Sequence, residues 1–168
     1  MNSWREHYWH TVPCIRARIE ETVARADCAG LSVLEAGCNE GFLSMALKEA
    51  GGVVTSLDND PEMIKKAKDL FKIDAVLGDI TKLPFCDNSF DIAIGGEVLE
   101  HVPNPGLAFG ELFRVAKSKV IISLPLGAYW LGEPTHLWKL EGITIKHDCG
   151  SRVWHDKEII ILEFNIKE

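Results

Sequence analysis

The stretch Val33-Leu34-Glu35-Ala36-Gly37-Cys38-Asn39-Glu40-Gly41-Phe42-Leu43-Ser44 constrains this chain more than any other. An apolar, strand-like run ends in a carboxylate, passes through a glycine-bearing turn and enters a helix. Such a turn presents backbone N–H groups at a helix N-terminus and lets a ligand approach the main chain closely. Taken alone, acid-x-Gly-x-x-x-Gly says little. Its weight comes from three further segments downstream, in order along the chain.

Beyond this turn, apolar runs and helical patterns alternate. Cys14–Ala26 has helical spacing at Ile15, Ile19 and Val23. Ser32–Glu35, Val53–Leu57, Ile73–Leu77, Phe90–Ile94 and Val120–Leu124 read as short strands. Between them, Phe42–Ala50, Pro61–Phe71 and Pro105–Val115 read as helices. Gly51-Gly52 stops the first of these, and Asp60 before Pro61 is a natural N-cap for the second. Continuously apolar strands alternating with helices predict a parallel sheet covered on both faces, a three-layer α/β sandwich.

After Leu124 the pattern changes. Pro125-Leu126-Gly127 predicts a turn and Thr135–Leu140 about one helical turn. Gly142–His147 and Lys157–Ile166 read as two further strands around the turn Asp148-Cys149-Gly150-Ser151. Strands joined so closely must pair antiparallel. The expectation is a mostly parallel sheet with a C-terminal antiparallel hairpin. Over 168 residues this makes one domain: a helical cap over 1–30, a core over 31–124, and a hairpin and cap over 125–168.

Ligands of open α/β sheets bind beyond the carboxyl ends of the strands. Asp58, with Asn59 beside it, ends the second strand. It stands close to the ~20-residue offset after the glycine turn at which an acid meets a ribose diol. Asp79 and Ile80 follow the third strand, where a carboxylate and the next N–H can read an adenine edge. The fourth strand runs into Gly95-Gly96-Glu97, leaving bare backbone at the ligand's other end. A helix cap or a solvated loop charge is the ordinary alternative for each acid singly. Acids at successive strand ends argue against it.

These segments resemble the class I S-adenosylmethionine-dependent methyltransferases, and within them the branch typified by ubiquinone- and menaquinone-biosynthesis enzymes. The resemblance covers about residues 32–125 and rests on VLEAGCNEGFLS, SLDNDPEMIKKAK and GDITKLPFCDNSFDIAIGGEVLEHVPNP. It implies a Rossmann-like fold with S-adenosyl-L-methionine as cofactor and S-adenosyl-L-homocysteine as product. It also implies that Glu35, Gly37, Cys38, Asn39 and Gly41 hold the methionine part. Asp58 and Asn59 would take the ribose, Asp79 and Ile80 the adenine, and Gly96 and Glu97 the amino-acid end. The chain departs from the family where a second glycine is usual and Asn39 stands instead. Asn tolerates left-handed backbone angles, so the turn survives. A Pro-Gly-Gly turn is also replaced, by Ala116-Lys117-Ser118-Lys119, which predicts a tighter connection.

The rival within this fold is a nicotinamide-dependent oxidoreductase. Its G-x-G-x-x-G fingerprint, counted from Gly37, needs glycines at Asn39 and Phe42 and finds neither. A rival of another class is a regulatory module that binds the cofactor without turnover.

Every Trp and Tyr (Trp4, Tyr8, Trp9, Tyr129, Trp130, Trp138 and Trp154) lies outside the core segments, as do all histidines except His101. Aromatic flanks suit a cap over a flat or apolar acceptor. Packing of the flanks onto the sheet is the plainer alternative. His101 is a candidate general base, with capping of the next helix as its ordinary role. The implied reaction is in-line displacement on a sulfonium methyl, so alignment and exclusion of water supply most of the catalysis. The acceptor is a small molecule or a lipid- or sugar-linked one. Little chain remains for a substrate domain, so the pocket opens to a large acceptor or is completed by a partner subunit, as in a homodimer.

Composition removes other classes. A net charge of −7 without a Lys/Arg-rich block disfavours nucleic acid. Five cysteines without a C-x-x-C pair predict reduced thiols in a cytoplasmic protein and no metal site. The N-terminal residues have no signal-peptide character, and no apolar run reaches the ~20 residues of a membrane span.

Overall fold

A computed structural model describes residues 13–125, 136–137, 150–155 and 159–166. Helix α1 (Pro13–Ala26) precedes strand β1 (Ser32–Ala36), and α2 (Phe42–Glu49) leads to β2 (Val53–Asp58). Helix α3 (Pro61–Phe71) leads to β3 (Val76–Leu77), and β4 (Phe90–Gly96) comes next. A 3-10 turn over Leu99–His101 precedes α4 (Pro105–Val115), then come β5 (Ala116–Pro125), β6 (Gly150–His155) and β7 (Ile159–Asn165). The sheet has seven strands in the order β3-β2-β1-β4-β5-β7-β6. Strands β1 to β5 pair in parallel; β7 runs antiparallel to both β5 and β6.

Both faces of the sheet are buried, which is why its central strands are apolar on both faces over most of their length. Leu34, Ala93, Val120 and Ile122 point into one cluster with Leu112 and Val115 of α4. Their neighbours Val33, Ile92, Ile94 and Ile121 point into the other, with Ile19 of α1, Leu47 of α2 and Phe71 of α3. The predicted α/β sandwich is therefore the observed one. Helix α3 begins as its sequence dictates: Asp60 accepts from the Glu62 N–H at 2.8 Å, with Pro61 in the first helical position. Among the described residues no helix is long and apolar enough to cross a membrane.

Most boundaries fall within two residues of expectation, and three elements differ more. Strand β3 shortens to two residues because the chain leaves α3 through Lys72 in a left-handed conformation and joins the sheet only at its edge. Strand β5 extends back to Ala116, so α4 passes into it with no loop; the register slips where Phe90 faces Ala116 and Ile92 faces Lys119. The missing Pro-Gly-Gly turn is thus replaced by a strand irregularity. The hairpin is displaced most: Gly150 and Ser151, expected in the turn, belong to β6, and the reversal lies between His155 and Ile159. Pairing energy in the sheet outweighs the turn preference of a Gly-Ser pair. The expected strand Gly142–His147 lies outside the described residues, as does the expected helical turn apart from His136 and Leu137, which are not helical.

The string LPFCDNSFD has a structural use here. Arg114 on α4 donates to the carbonyls of Phe85 (2.8 Å) and Leu83 (3.2 Å) and to Asp87 Oδ1 (2.7 Å), clamping the loop before β4. Asp91 accepts from the Ser32 N–H at 2.8 Å and its hydroxyl at 2.6 Å, locking the start of β1 to β4. Those bonds from Ser32, with Lys117, hold the Asp91 carboxyl down at about 2.

Candidate functional site

The strand order reverses direction between β1 and β4, and a cleft of about 1100 Å³ opens beyond the carboxyl ends of these strands. Its walls include Glu35, Gly37, Cys38, Asn39, Asp58, Asn59, Asp79, Ile80, Gly96, Glu97 and His101. The tertiary structure thus brings together the predicted site residues with one exception. Gly41 is not on the wall: it starts α2 at φ +86°, and a Cβ there would lie 3.0 Å from both Ala67 and Ile73. It serves close packing of α2 on its neighbours.

The turn after β1 is built by backbone conformation and one acid. Gly37 has φ +83° and Asn39 φ 48°, so the residue standing in place of glycine does adopt the left-handed region. The Asn39 side chain folds back to accept from the Glu40 N–H at 2.7 Å. Asp58 accepts from the Asn39 N–H at 2.7 Å and the Asp60 N–H at 2.9 Å, one on each carboxylate oxygen. Each oxygen keeps a further lone-pair site for a ligand hydroxyl. Asp79 Oδ1 accepts from the Thr81 N–H (2.8 Å) and hydroxyl (2.7 Å), and these bonds lower its pKa.

Glu35 lies at the bottom of the turn, 3% exposed. Ser44 donates to its Oε2, and Ser44 Oγ is 2.7 Å from Ser56 Oγ. Burial pushes the Glu35 carboxyl up to about 8 against the hydrogen bond from Ser44, which lowers it. The folded chain keeps this proton to about pH 8, whereas the unfolded chain releases it near 4.5. Stability from this group is therefore complete below pH 4.5 and is lost as pH rises through 8, by on the order of a few kcal/mol. Glu35→Gln, neutral at every pH, is expected to flatten this fall. Urea melts from pH 5 to pH 9 test it, and an unchanged slope would refute the assignment. The Cys38 thiol is raised by burial and then by the Glu35 and Asp58 carboxylates, so it is no thiolate nucleophile.

Sequence reasoning missed several residues of this wall. Arg18 of α1 forms an ion pair with Glu97. Glu97 itself has φ 49°, and its N–H donates to the Ser123 carbonyl at 2.9 Å. Glu100 is 1% exposed, its carboxyl raised to about 8 by burial. His136 lies against His101, ring centroids 4.9 Å apart. No local signal could have joined Arg18 or His136 to the turn, since both come from distant segments. The expected capping role of His101 falls to Asn104, which accepts from the Leu107 N–H at 3.2 Å. Trp4, Tyr8, Trp9, Tyr129, Trp130 and Trp138 of the expected aromatic cap lie outside the described residues, and Trp154 is placed only as part of β6.

Comparison with known proteins agrees with this architecture. The family described as "Methyltransferase domain" matches residues 34–124. A malonyl-[acyl-carrier protein] O-methyltransferase of Pectobacterium atrosepticum is 34% identical over 117 residues, 68% of this chain and 46% of the relative. A ubiquinone biosynthesis O-methyltransferase of Xanthomonas oryzae pv. oryzae is 35% identical over 60% of this chain and 44% of the relative. The chain thus spans about half the length of the curated relatives it matches. Among solved structures, a Pyrococcus horikoshii OT3 protein superposes with TM-score 0.71 at 21% identity, covering 91% of each chain. Magnesium protoporphyrin IX methyltransferase from Synechocystis PCC 6803, solved with bound S-adenosylhomocysteine, superposes with TM-score 0.67 at 20% identity over 92% of this chain and 83% of that one.

Proposed function

This chain belongs to the S-adenosylmethionine-dependent methyltransferase family, and we propose that it transfers a methyl group from that donor to an oxygen of a small or carrier-linked acceptor. The observation that carries the reading is the row of acidic side chains at the ends of β1, β2 and β3 around one glycine turn, all on the wall of one cleft. The donor set suits the group. Asp58 offers acceptor sites for a ribose diol, and Asp79 Oδ2 and the Ile80 N–H suit an adenine edge. Glu97 and Arg18 present opposite charges where an amino-acid zwitterion would end. Glu35, Gly37, Cys38 and Asn39 line the path between. When bound, the sulfonium would supply an electrophilic methyl for in-line displacement by the acceptor.

The chain's own contribution is alignment and shielding. Leu43, Val98 and Leu107 give the wall apolar surface. His101, half-exposed beyond β4, stands where a base could take the acceptor's proton. We read the chain as one domain, in which the helical and hairpin flanks position the acceptor. Names of the relatives point to acceptors borne on an acyl carrier protein or a quinone precursor.

Calorimetry with S-adenosylhomocysteine, run beside a nicotinamide dinucleotide, tests the reading. Micromolar binding of the first and none of the second is expected. A folded protein that ignores millimolar S-adenosylhomocysteine would refute it. Release of S-adenosylhomocysteine across a panel of thioester-linked acids, phenols and quinols then separates an enzyme from a binding module.

A further inference from the structure

Glu100, His101 and His136 occupy the wall of the cleft beyond β4, on the side away from Asp58 and Asp79. One carboxylate oxygen and one ring nitrogen from each histidine lie within 4.8 Å of one another. His101 Nε2 stands 4.0 Å from Glu100 Oε1, and the two imidazoles meet edge to face at 62°. The Leu137 N–H donates to the Glu100 carbonyl at 2.9 Å, which ties the segment bearing His136 to the 3-10 turn.

Glu100 supplies the second, independent observation. It is 1% exposed, and neither of its carboxylate oxygens has a hydrogen-bond partner. Arg18 gives Nη1 to Glu97, and its Nε, like both Glu100 oxygens, has no hydrogen-bond partner, so its charge reaches Glu100 without a direct bond. A buried carboxyl without donors is costly unless a cation faces it. Two imidazoles and one carboxylate form a donor set for a first-row transition ion, and softer or all-oxygen ions fit it less well. Metal–ligand bonds of about 2.0–2.2 Å hold ligand atoms some 3–4 Å apart, so side-chain rotations of about an ångström close the set.

We propose that Glu100, His101 and His136 bind a divalent transition-metal ion such as Zn²⁺ or Co²⁺ at the open end of the cleft. Three protein ligands leave coordination positions free, as sites that take an exogenous oxygen do. With an ion bound, His101 acts as a ligand and not as a base; that the oxygen belongs to a methyl acceptor rests on the proposed function, and ion binding does not.

The test is titration of the EDTA-treated chain with Co²⁺, monitored by visible ligand-field absorption. One equivalent should bind at micromolar or lower concentration. His101→Ala and His136→Ala should each weaken it at least tenfold, and Glu100→Gln should do likewise. Both histidines lie near the surface, so their variants should fold, which circular dichroism verifies; they decide the matter if Glu100→Gln does not fold. Absence of stoichiometric binding, or loss in only one histidine variant, overturns the three-residue site. S-adenosylhomocysteine calorimetry on the metal-free wild-type chain reports separately on the methyltransferase reading.

Discussion

Asp58→Ala is expected to weaken S-adenosylhomocysteine binding about ten- to a hundredfold, through loss of charge-assisted hydrogen bonds of about 1.5–3 kcal/mol. A loss of stability accompanies it. In the folded chain each Asp58 oxygen already holds a backbone N–H, from Asn39 and from Asp60. Truncation frees both donors at a position only 7% exposed, at a cost of about 1–3 kcal/mol. Considered from sequence alone, a strand-end acid facing a ligand contributes little to stability; the turn geometry changes that expectation. Asp58→Asn keeps one acceptor oxygen and should lie between the two. Calorimetry on samples shown folded by their melts separates the effects. Unchanged affinity per folded molecule would make Asp58 a brace for the turn alone.

Gly37→Ala should have the largest structural effect of any single methyl added to the site. At φ +83° an L-residue pays about 1–2 kcal/mol. The added Cβ would also stand 2.5 Å from Val98 Cγ2 and 2.8 Å from Val98 Cβ, both too close. Val98 leads into the turn that carries Glu100 and His101, so relief of the clash moves the far wall of the cleft. Overpacking of this kind adds about 1–3 kcal/mol, and the melting temperature should fall by roughly 5–12 °C. Ligand affinity should drop more than tenfold. Val98→Ala in the same chain removes the Cγ2 clash but keeps Val98 Cβ at 2.8 Å, so it should restore only a minor part of the lost stability, and the backbone part remains. A Gly37→Ala chain that melts with the wild type would show that the turn relaxes without cost.

Much of this was legible in the sequence because it depends on neighbours along the chain. Apolar runs of strand length between helical patterns leave a parallel, doubly covered sheet as the way to bury both strand faces. Once that sheet exists, the residues just past a strand's carboxyl end lie at the cleft. Glu35, Asp58, Asp79 and Glu97 were placed there by chain position, and Asp60 and Pro61 announced their helix through local hydrogen bonding. Asn39 held its turn because its left-handed angle is a property of the residue itself.

Tertiary packing decided the rest. The string LPFCDNSFD marks the family, yet its role emerges only when Arg114 of α4 reaches the carbonyls before β4. Gly41 stands in the motif as a ligand-binding glycine would, and the proximity of Ala67 and Ile73 adds a packing reason for glycine that the sequence could not show. The edge strand began at Gly150 because pairing with β7 extends its ladder there, in spite of local turn chemistry. Arg18 reaches Glu97, and His136 reaches Glu100 and His101, across long intervals of sequence. Spacing along a chain determines distance in space only within a single helix, strand or turn. Beyond that range the sheet order and the packing of helices on it set which side chains meet, and so the sequence by itself determined the cleft's floor while the fold chose the groups that face it.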